Sequence, residues 1–133
     1  MPAKQFDFNS SVYYIVHMTF GQYIRHIREQ RRNDDKRFSL RQTAQRISVE
    51  PAYLSKIERG DVSPPSEATI LRLANDLDED ADVLLAMAGK VSTDLRETIM
   101  KRPQLFAELI RELKDAPDNA VIHIVREVRD GNW

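Results

Sequence analysis

The sequence contains no cysteine, which excludes disulfide bonds, thiolate metal sites and thiol redox motifs. It also lacks an apolar run near the roughly 18–20 residues that a transmembrane helix needs, and residues 12–16 are too short for the core of a signal peptide. At 133 residues, with 41% hydrophobic and 31% charged side chains, the chain can bury one modest core. We therefore expect a soluble, cytoplasmic protein that has no membrane partner.

The usual signatures of catalysis are also missing from the sequence. There is no glycine-rich phosphate loop and no nucleophile elbow. The three histidines, His17, His26 and His123, are isolated from one another and do not have the spacing of metal ligands. We therefore predict that the protein is not an enzyme and that it has no catalytic residues, no metal site and no cofactor.

The net charge of −1 hides an uneven distribution along the chain. Residues 19–63 hold ten Lys/Arg and six Asp/Glu, whereas residues 64–133 hold nine Lys/Arg and fourteen Asp/Glu. A basic front and an acidic back fit a protein that presents one face to phosphate groups. Ordinary charge scatter is the alternative, so the charges favour a nucleic-acid partner only together with a motif.

Apolar residues recur at helical spacing from residue 20 onward, which predicts a series of helices. The first covers residues 20–32, is capped by Thr19 and is followed by a polar loop at residues 33–37. Ser39 and Gln42 have the spacing of a capping box, which predicts a second helix to about residue 47. Pro51 suits the first position of a third helix, and Gly60 suits its end.

Two further helices complete this part of the chain. Ser66 is predicted to cap the fourth, which runs to residue 77 with its apolar side chains inward: Ile70, Leu71, Leu73, Ala74 and Leu77. A short fifth helix begins at residues 78–80 and ends at Gly89. Its Val83, Leu84 and Met87 are predicted to close the core.

The pattern restarts after Gly89, with helices predicted at residues 94–101 and 103–114. Asp118 is a candidate cap for a last helix, although its Val and Ile content leaves a strand possible. We therefore expect three parts, namely residues 1–18, 19–89 and 90–133. Residues 1–18 are interpreted either as an extension upstream of a native start at Met18 or as an arm that pairs with a partner chain.

Residues 39–60 carry the functional signal: Ser-Leu-Arg-Gln-Thr-Ala-Gln-Arg-Ile-Ser-Val-Glu-Pro-Ala-Tyr-Leu-Ser-Lys-Ile-Glu-Arg-Gly. Ala44 is small where two helices would cross closely, and Leu54 and Ile57 would form the buried side of the third helix. The opposite side of that helix is left for another surface. An α-helix fits the major groove of B-DNA, where its exposed residues reach base edges.

This stretch resembles the lambda-repressor-like (Cro/cI-type, XRE) family of helix-turn-helix transcriptional regulators. The resemblance covers about residues 19–89 and rests on Ser-Leu-Arg-Gln-x-Ala followed by Val-x-x-x-Tyr-Leu-Ser-Lys-Ile-Glu-Arg-Gly. It implies an all-α fold, in which a five-helix lambda-repressor-like DNA-binding domain is followed by a C-terminal helical extension.

The resemblance also implies roles for individual residues. Arg28 matches a first-helix arginine that pairs with the glutamate corresponding to Glu58 and locks the first helix to the third. The positions that face base edges are Glu50, Pro51, Ala52 and Lys56, of which Lys56 is a donor for guanine. The positions that face or neighbour phosphates are Ser39, Arg41, Tyr53, Ser55 and Arg59, and Gln42 is a further candidate DNA-binding residue. Lys36 and Arg37 either add phosphate contacts or belong to a solvated loop.

The chain departs from the family pattern in the turn and at the start of the third helix. Ser48 stands where the family has glycine, and a positive φ there would strain it by about 1 kcal/mol. Glu50 stands where the family has Ser or Thr, and its carboxylate suits the helix dipole but repels phosphate. The loop between the first two helices is also longer. These differences concern base recognition and leave the fold unaffected.

The function predicted from these residues is a sequence-specific, DNA-binding repressor that binds a pseudo-palindromic operator as a homodimer, with half-sites about 34 Å apart. The apolar stripes after Gly89 are the main candidate dimerisation element, unless they pack back on the same domain, and residues 13–16 are a second candidate. The alternative is an antitoxin-like or protein-interaction module whose main partner is another protein, such as a toxin or a protease.

Overall fold

The computed structural model describes residues 18–131 and 133, so the predictions for the N-terminal leader and for residues 13–16 lie outside the described residues. The chain divides into two compact units, with the boundary between Ser92 and Thr93. All the regular structure in the described residues is helical, which confirms the all-α fold with a helical extension after the first unit. The assignment of functions to the two parts stays a prediction.

The first unit contains five α-helices and one 3-10 helix among its described residues. They are α1 (Phe20–Asp34), the 3-10 helix η1 (Lys36–Phe38), α2 (Leu40–Arg46), α3 (Pro51–Arg59), α4 (Glu67–Leu77) and α5 (Ala81–Met87). The predicted loop at residues 33–37 was therefore wrong in part. The helix α1 continues to Asp34 and ends at Asp35, whose backbone is extended. The side chain of Asp35 then caps η1 by accepting a hydrogen bond from the Arg37 N–H.

The predicted N-terminal caps are confirmed in this unit. Thr19 forms a complete capping box with Gln22, because each side chain accepts from the backbone N–H of the other residue at 3.0–3.2 Å. The side chains of Ser39 and Ser66 accept from the third residues of α2 and α4. Pro51 is the first residue of α3, where its missing N–H costs nothing.

The helices α2 to α5 all end in the same way. In each, the residue after the helix or one position further is left-handed, and the next N–H bonds back to a carbonyl five residues earlier, which is the Schellman arrangement. The left-handed positions are Ser48, Gly60, Asp78 and Gly89. Ser48 has a φ of 62° and Asp78 a φ of 53°, so two of the four helix ends carry a side chain where glycine is favoured.

The hydrophobic core of the first unit draws on all five α-helices or their immediate ends. Its fully buried large side chains include Ile24, Ile47, Leu54, Ile70, Leu73, Leu77, Leu84 and Leu85. The prediction for Leu71 was wrong, since it is 43% exposed on the outer side of α4. In α5, Leu84 is buried and Met87 packs against the core as predicted, whereas Val83 is not part of the core and Leu85, which was not predicted, is buried.

Gly21 marks the closest approach between α1 and α3. A Cβ atom added there would lie 2.8 Å from the carbonyl oxygen of Glu58 and nearer still to that of Ile57. Backbone atoms cannot give way as a flexible side chain can, so only glycine fits at this position. The first turn of α1 therefore rests directly on the last turn of α3.

The second unit consists of α6 (Thr93–Lys101), α7 (Pro103–Leu113) and α8 (Asp118–Arg129). The last segment is thus a helix and not the alternative strand. Asp118 does not cap it, because Pro117 holds the cap position and Asp118 is already the first helical residue. Among residues 93–131 and 133 no side chain that the structure describes is buried.

Candidate nucleic-acid interface

The side of α3 that faces away from the core is the centre of the candidate interface. Leu54 and Ile57 are buried under it, as predicted, and Val49 packs against the core from the preceding turn. Ala52, Lys56 and Arg59 are exposed on the outer side. Tyr53 and Ser55 are only partly exposed, since Tyr53 also packs against the core. The exposed strip along α3 is therefore narrower than the sequence predicted.

The turn before α3 depends on the unusual backbone at Ser48. Its left-handed conformation lets the Val49 N–H reach the Ala44 carbonyl at 3.0 Å, which ends α2 and redirects the chain into α3. Arg72 of α4 also donates to the Ile47 carbonyl at 3.0 Å, so the end of α2 is held from a second side. The angle between α2 and α3 is thus determined by backbone hydrogen bonds.

The start of α3 presents an exposed carboxylate. Glu50 is the N-cap residue, but its side chain makes no capping hydrogen bond, and Pro51 follows as the first helical residue. The carboxylate is therefore available to an external donor. It also places a negative charge at the end of α3 that would enter a groove first, where it opposes phosphate and favours a donor such as a cytosine amino group.

The start of α2 is the second part of the candidate interface, and α2 packs against α3. Ser39 caps α2 by accepting from the Gln42 N–H at 3.3 Å. Arg41 and Gln42 are exposed in its first turn. The structure thus places the three predicted residues of α2 at the exposed start of one helix, where backbone N–H groups and the helix dipole favour an anion.

A buried ion pair connects α1 to α3 behind the interface. Arg28 donates through Nε to Glu58 Oε2 at 2.7 Å and through Nη2 to Glu58 Oε1 at 2.9 Å. Its Nη1 donates to the Phe38 carbonyl at 3.1 Å, which adds η1 to the connection. Both side chains of the pair are only 4% exposed, so this is a desolvated, two-pronged ion pair and not a solvated one.

The electrostatics of this pair follow from its hydrogen bonds. The bond from Arg28 to Glu58 raises the pKa of the Arg28 guanidinium above its usual value, and this outweighs the opposite effect of burial. The guanidinium is therefore permanently charged. Because one rigid group holds α1, α3 and the residue before Ser39, the starting point of α2 is tied to the position of α3.

Sequence reasoning missed the contacts that fold the long segment between α1 and α2. Arg46 donates to Asp76 at 2.6 Å and to the Arg37 carbonyl at 2.6 Å, and its guanidinium lies 4.9 Å from the centre of the Phe38 ring. Arg31 approaches the same ring at 5.9 Å. No local signal could have found these contacts, since Arg46 and Asp76 are separated by 30 residues.

The cations of the interface fall into two groups. Arg41 and Lys56 make no ion pair within the part of the chain that the structure describes. Arg59 is paired with Asp61 at 2.9 Å, and Arg37 is paired with Asp35 at 2.8 Å. Among the described residues, Arg41 and Lys56 therefore meet no competing carboxylate, and Lys36 of η1 makes no ion pair there either.

Two other kinds of feature are absent from the described residues. No group of three or more potential metal ligands lies together among residues 18–131 and 133. Within those same residues, none of the helices combines the length and the apolar character required to span a bilayer.

Comparison with known proteins shows a match to a family model. The family model described as a helix-turn-helix domain matches residues 19–87, which is about half of the chain and includes α1 to α5. No curated protein and no solved structure matches the chain. The matched segment contains both the turn at Ser48 and the exposed side of α3. The chain therefore belongs to the helix-turn-helix domain family.

Proposed function

We propose that the protein is a sequence-specific, DNA-binding transcriptional repressor of the lambda-repressor-like (Cro/cI-type, XRE) kind. Its membership of the helix-turn-helix family supports DNA as the partner. The resemblance of residues 39–60 to that narrower group supports the finer assignment. In this proposal α3 lies in the major groove, and the start of α2 lies against the phosphate backbone.

The observation that carries the proposal is the exposed face formed by α3 and the start of α2. It combines two cations without an ion pair in the described residues, Arg41 and Lys56, with a rigid support. The support consists of the buried pair between Arg28 and Glu58 and the direct contact at Gly21. A face of this kind presents donors at defined positions, as base recognition requires.

Within this face we assign two roles. The residues proposed to contact base edges lie in the first two turns of α3: Glu50, Pro51, Ala52 and Lys56. Those proposed to contact or neighbour phosphates lie around them: Ser39, Arg41, Gln42, Tyr53, Ser55 and Arg59. Ser55 Oγ accepts a hydrogen bond from Arg59 Nη1 at 3.0 Å, so the two side chains hold each other in position. Phosphate contacts determine the register, and base contacts determine the sequence.

Selection from a random pool of DNA duplexes, followed by titration of the selected duplex, tests the proposal. Replacing Lys56 by alanine should weaken binding to the selected duplex by about five- to 150-fold and relax the preference at one position. Replacing Arg41 by alanine should weaken binding to all duplexes and reduce the salt slope by about one. Lys114→Ala in the second unit removes the same charge and serves as the control.

The absence of any sequence preference in the random pool, at any salt concentration, would contradict the repressor proposal. Helicity measured by circular dichroism must remain at the wild-type level in each variant, so that loss of binding is not loss of fold. A protein that is folded but indifferent to DNA sequence would favour the alternative, a protein-interaction module whose partner is another protein such as a toxin or protease.

We further propose that the protein binds its operator as a homodimer through α7 and α8. The support is the exposed apolar surface of these helices, on which Leu105 is 65%, Ile110 is 56% and Val128 is 62% exposed. A 41-residue unit without a buried side chain in its described part needs a partner to be stable. Residues 93–133 carry seven Lys/Arg and eight Asp/Glu, and this balance suits a second copy of the same surface.

Sedimentation of the full chain tests the dimer. The wild-type protein should sediment as a dimer, and Leu105→Glu combined with Ile110→Glu should make it a monomer that binds one half-site weakly. Gln104→Glu, on the same exposed helix, adds one of these two negative charges without removing apolar surface and should leave the dimer intact. If the wild-type protein sediments as a monomer at concentrations at which it binds its operator, the dimer proposal is refuted. The proposal for DNA binding would then still stand.

A further inference from the structure

We propose that Asp35 and Asp61 limit the affinity of the protein for the DNA backbone, because they hold Arg37 and Arg59 in ion pairs within the chain. This inference rests on the proposed DNA-binding function. In this proposal the two carboxylates occupy the positions on Arg37 and Arg59 that phosphate groups of DNA would otherwise take. The affinity is then set by how many arginines are free and not by how many are present.

The pair between Arg37 and Asp35 uses most of the donors on one side of the guanidinium. Nε of Arg37 donates to both carboxylate oxygens at 3.0 and 3.1 Å, and Nη2 donates to Oδ2 at 2.8 Å. The arginine side chain is 80% exposed, so its solvent position would otherwise suit a phosphate. The hydrogen bonds from Arg37 lower the pKa of Asp35 to about 2, so the carboxylate stays charged well below neutral pH.

The pair between Arg59 and Asp61 lies at the end of α3. Nε of Arg59 donates to Asp61 Oδ2 at 2.9 Å, while its Nη1 donates to Ser55 Oγ at 3.0 Å. The two charged side chains are 53% and 56% exposed. Asp61 follows Gly60 directly, so the reversal of the chain at the end of α3 brings the carboxylate back to Arg59.

A phosphate that binds either arginine through Nε must first displace a carboxylate. Exposed ion pairs of this kind are weak, and the resulting loss of DNA affinity is about two- to fivefold for each pair. Because phosphate contacts carry no sequence information, the loss applies equally to every DNA sequence. Arg41 and Lys56, which have no such partner among the described residues, bind without this competition.

Two isosteric substitutions test the inference in the full chain. Asp35→Asn and Asp61→Asn remove the charge while keeping the shape, and asparagine at residue 35 can still accept from the Arg37 N–H as the cap of η1. Asp82→Asn is the control, since Asp82 is exposed on α5 and makes no ion pair within the described residues. The measurement is the affinity for a random-sequence duplex across a range of salt concentrations.

Relative to the control, each variant should bind the duplex about two- to fivefold more tightly, with a salt slope steeper by about 0.9 for the arginine it frees. Arg37→Ala should change affinity little in the wild-type protein but remove the whole gain in Asp35→Asn. That comparison separates the release of one arginine from a general change in net charge.

Affinities and slopes of both variants equal to those of Asp82→Asn would overturn the inference while leaving the proposed function intact. If instead the wild-type protein fails to bind any duplex at low salt, the proposed function itself fails, and this inference fails with it. An equal effect of Arg37→Ala in both backgrounds would also overturn it, since the arginine would then be free from the start.

Discussion

Replacement of Arg28 by methionine should remove a large part of the stability of the helix-turn-helix domain. Methionine approximates the aliphatic part of the arginine side chain, but it leaves Glu58, which is 5% exposed, as a buried charge without its partner. Such a loss costs about 3–5 kcal/mol, whereas a small domain has only about 5–15 kcal/mol in total. At roughly 4–8 °C for each kcal/mol, the melting temperature should fall by at least about 12 °C.

The double variant Arg28→Met with Glu58→Leu separates the charge effect from the loss of packing. It leaves neither charge buried and should recover much of the loss, although the Phe38 carbonyl still loses the donor that lies 3.1 Å away. Arg59→Met, which breaks an exposed pair, is the control and should cost at most about 1 kcal/mol.

Urea unfolding of the full chain, followed by circular dichroism and by amide exchange in α1 and α3, measures these changes. A cost for Arg28→Met no larger than that of Arg59→Met would refute the reasoning. So would a double variant whose destabilisation equals the sum of the two single ones, since that result would mean that the two charges are not coupled.

Three further predictions concern single residues of the same domain. Gly21→Ala should lower the free energy of unfolding by about 2 kcal/mol, because the clash with the carbonyls at the end of α3 exceeds the helix propensity that alanine adds; an unchanged urea midpoint would contradict this. Ser48→Gly should raise that free energy by about 1 kcal/mol, since it relieves a φ of 62°, and a lowered midpoint would show that the serine side chain is needed. Burial, with the charge and hydrogen bond of Glu79, raises the pKa of Tyr23 to about 12, so its neutral form stabilises the fold below pH 10 and that stabilisation is lost as the pH rises from 10 to about 12. An ultraviolet titration should show one late phenol that disappears in Tyr23→Phe.

The parts of the fold that the sequence predicted are those with local causes. Pro51 and Gly60 bound α3 because each suits one end of a helix whatever the rest of the chain does. The buried sides of α1 and α3 follow from the spacing of their apolar residues. The N-terminal caps and the Schellman ends of the helices are formed by residues within six positions of one another. Signals of this kind can be found in a single sequence.

Most of the parts that were missed depend on distant neighbours. The exposure of Leu71 is an exception, because Leu71 stands off the stripe that Ile70, Leu73 and Leu77 form at helical spacing. The folded segment around Phe38 depends on Arg46, whose partner Asp76 lies on another helix. Arg37 and Arg59 each pair with an aspartate only two positions away in the chain. Whether such neighbours form an ion pair depends on the geometry of their side chains.

The contact at Gly21 has a consequence for altering the specificity of this protein. At Gly21 the backbone of α1 lies directly against the backbone of α3, with no side chain between them. The exposed residues 50, 52 and 56 take no part in that contact. They should therefore accept substitutions in combinatorial libraries while the helix itself keeps its position, so that new target sequences can be sought on an unchanged scaffold.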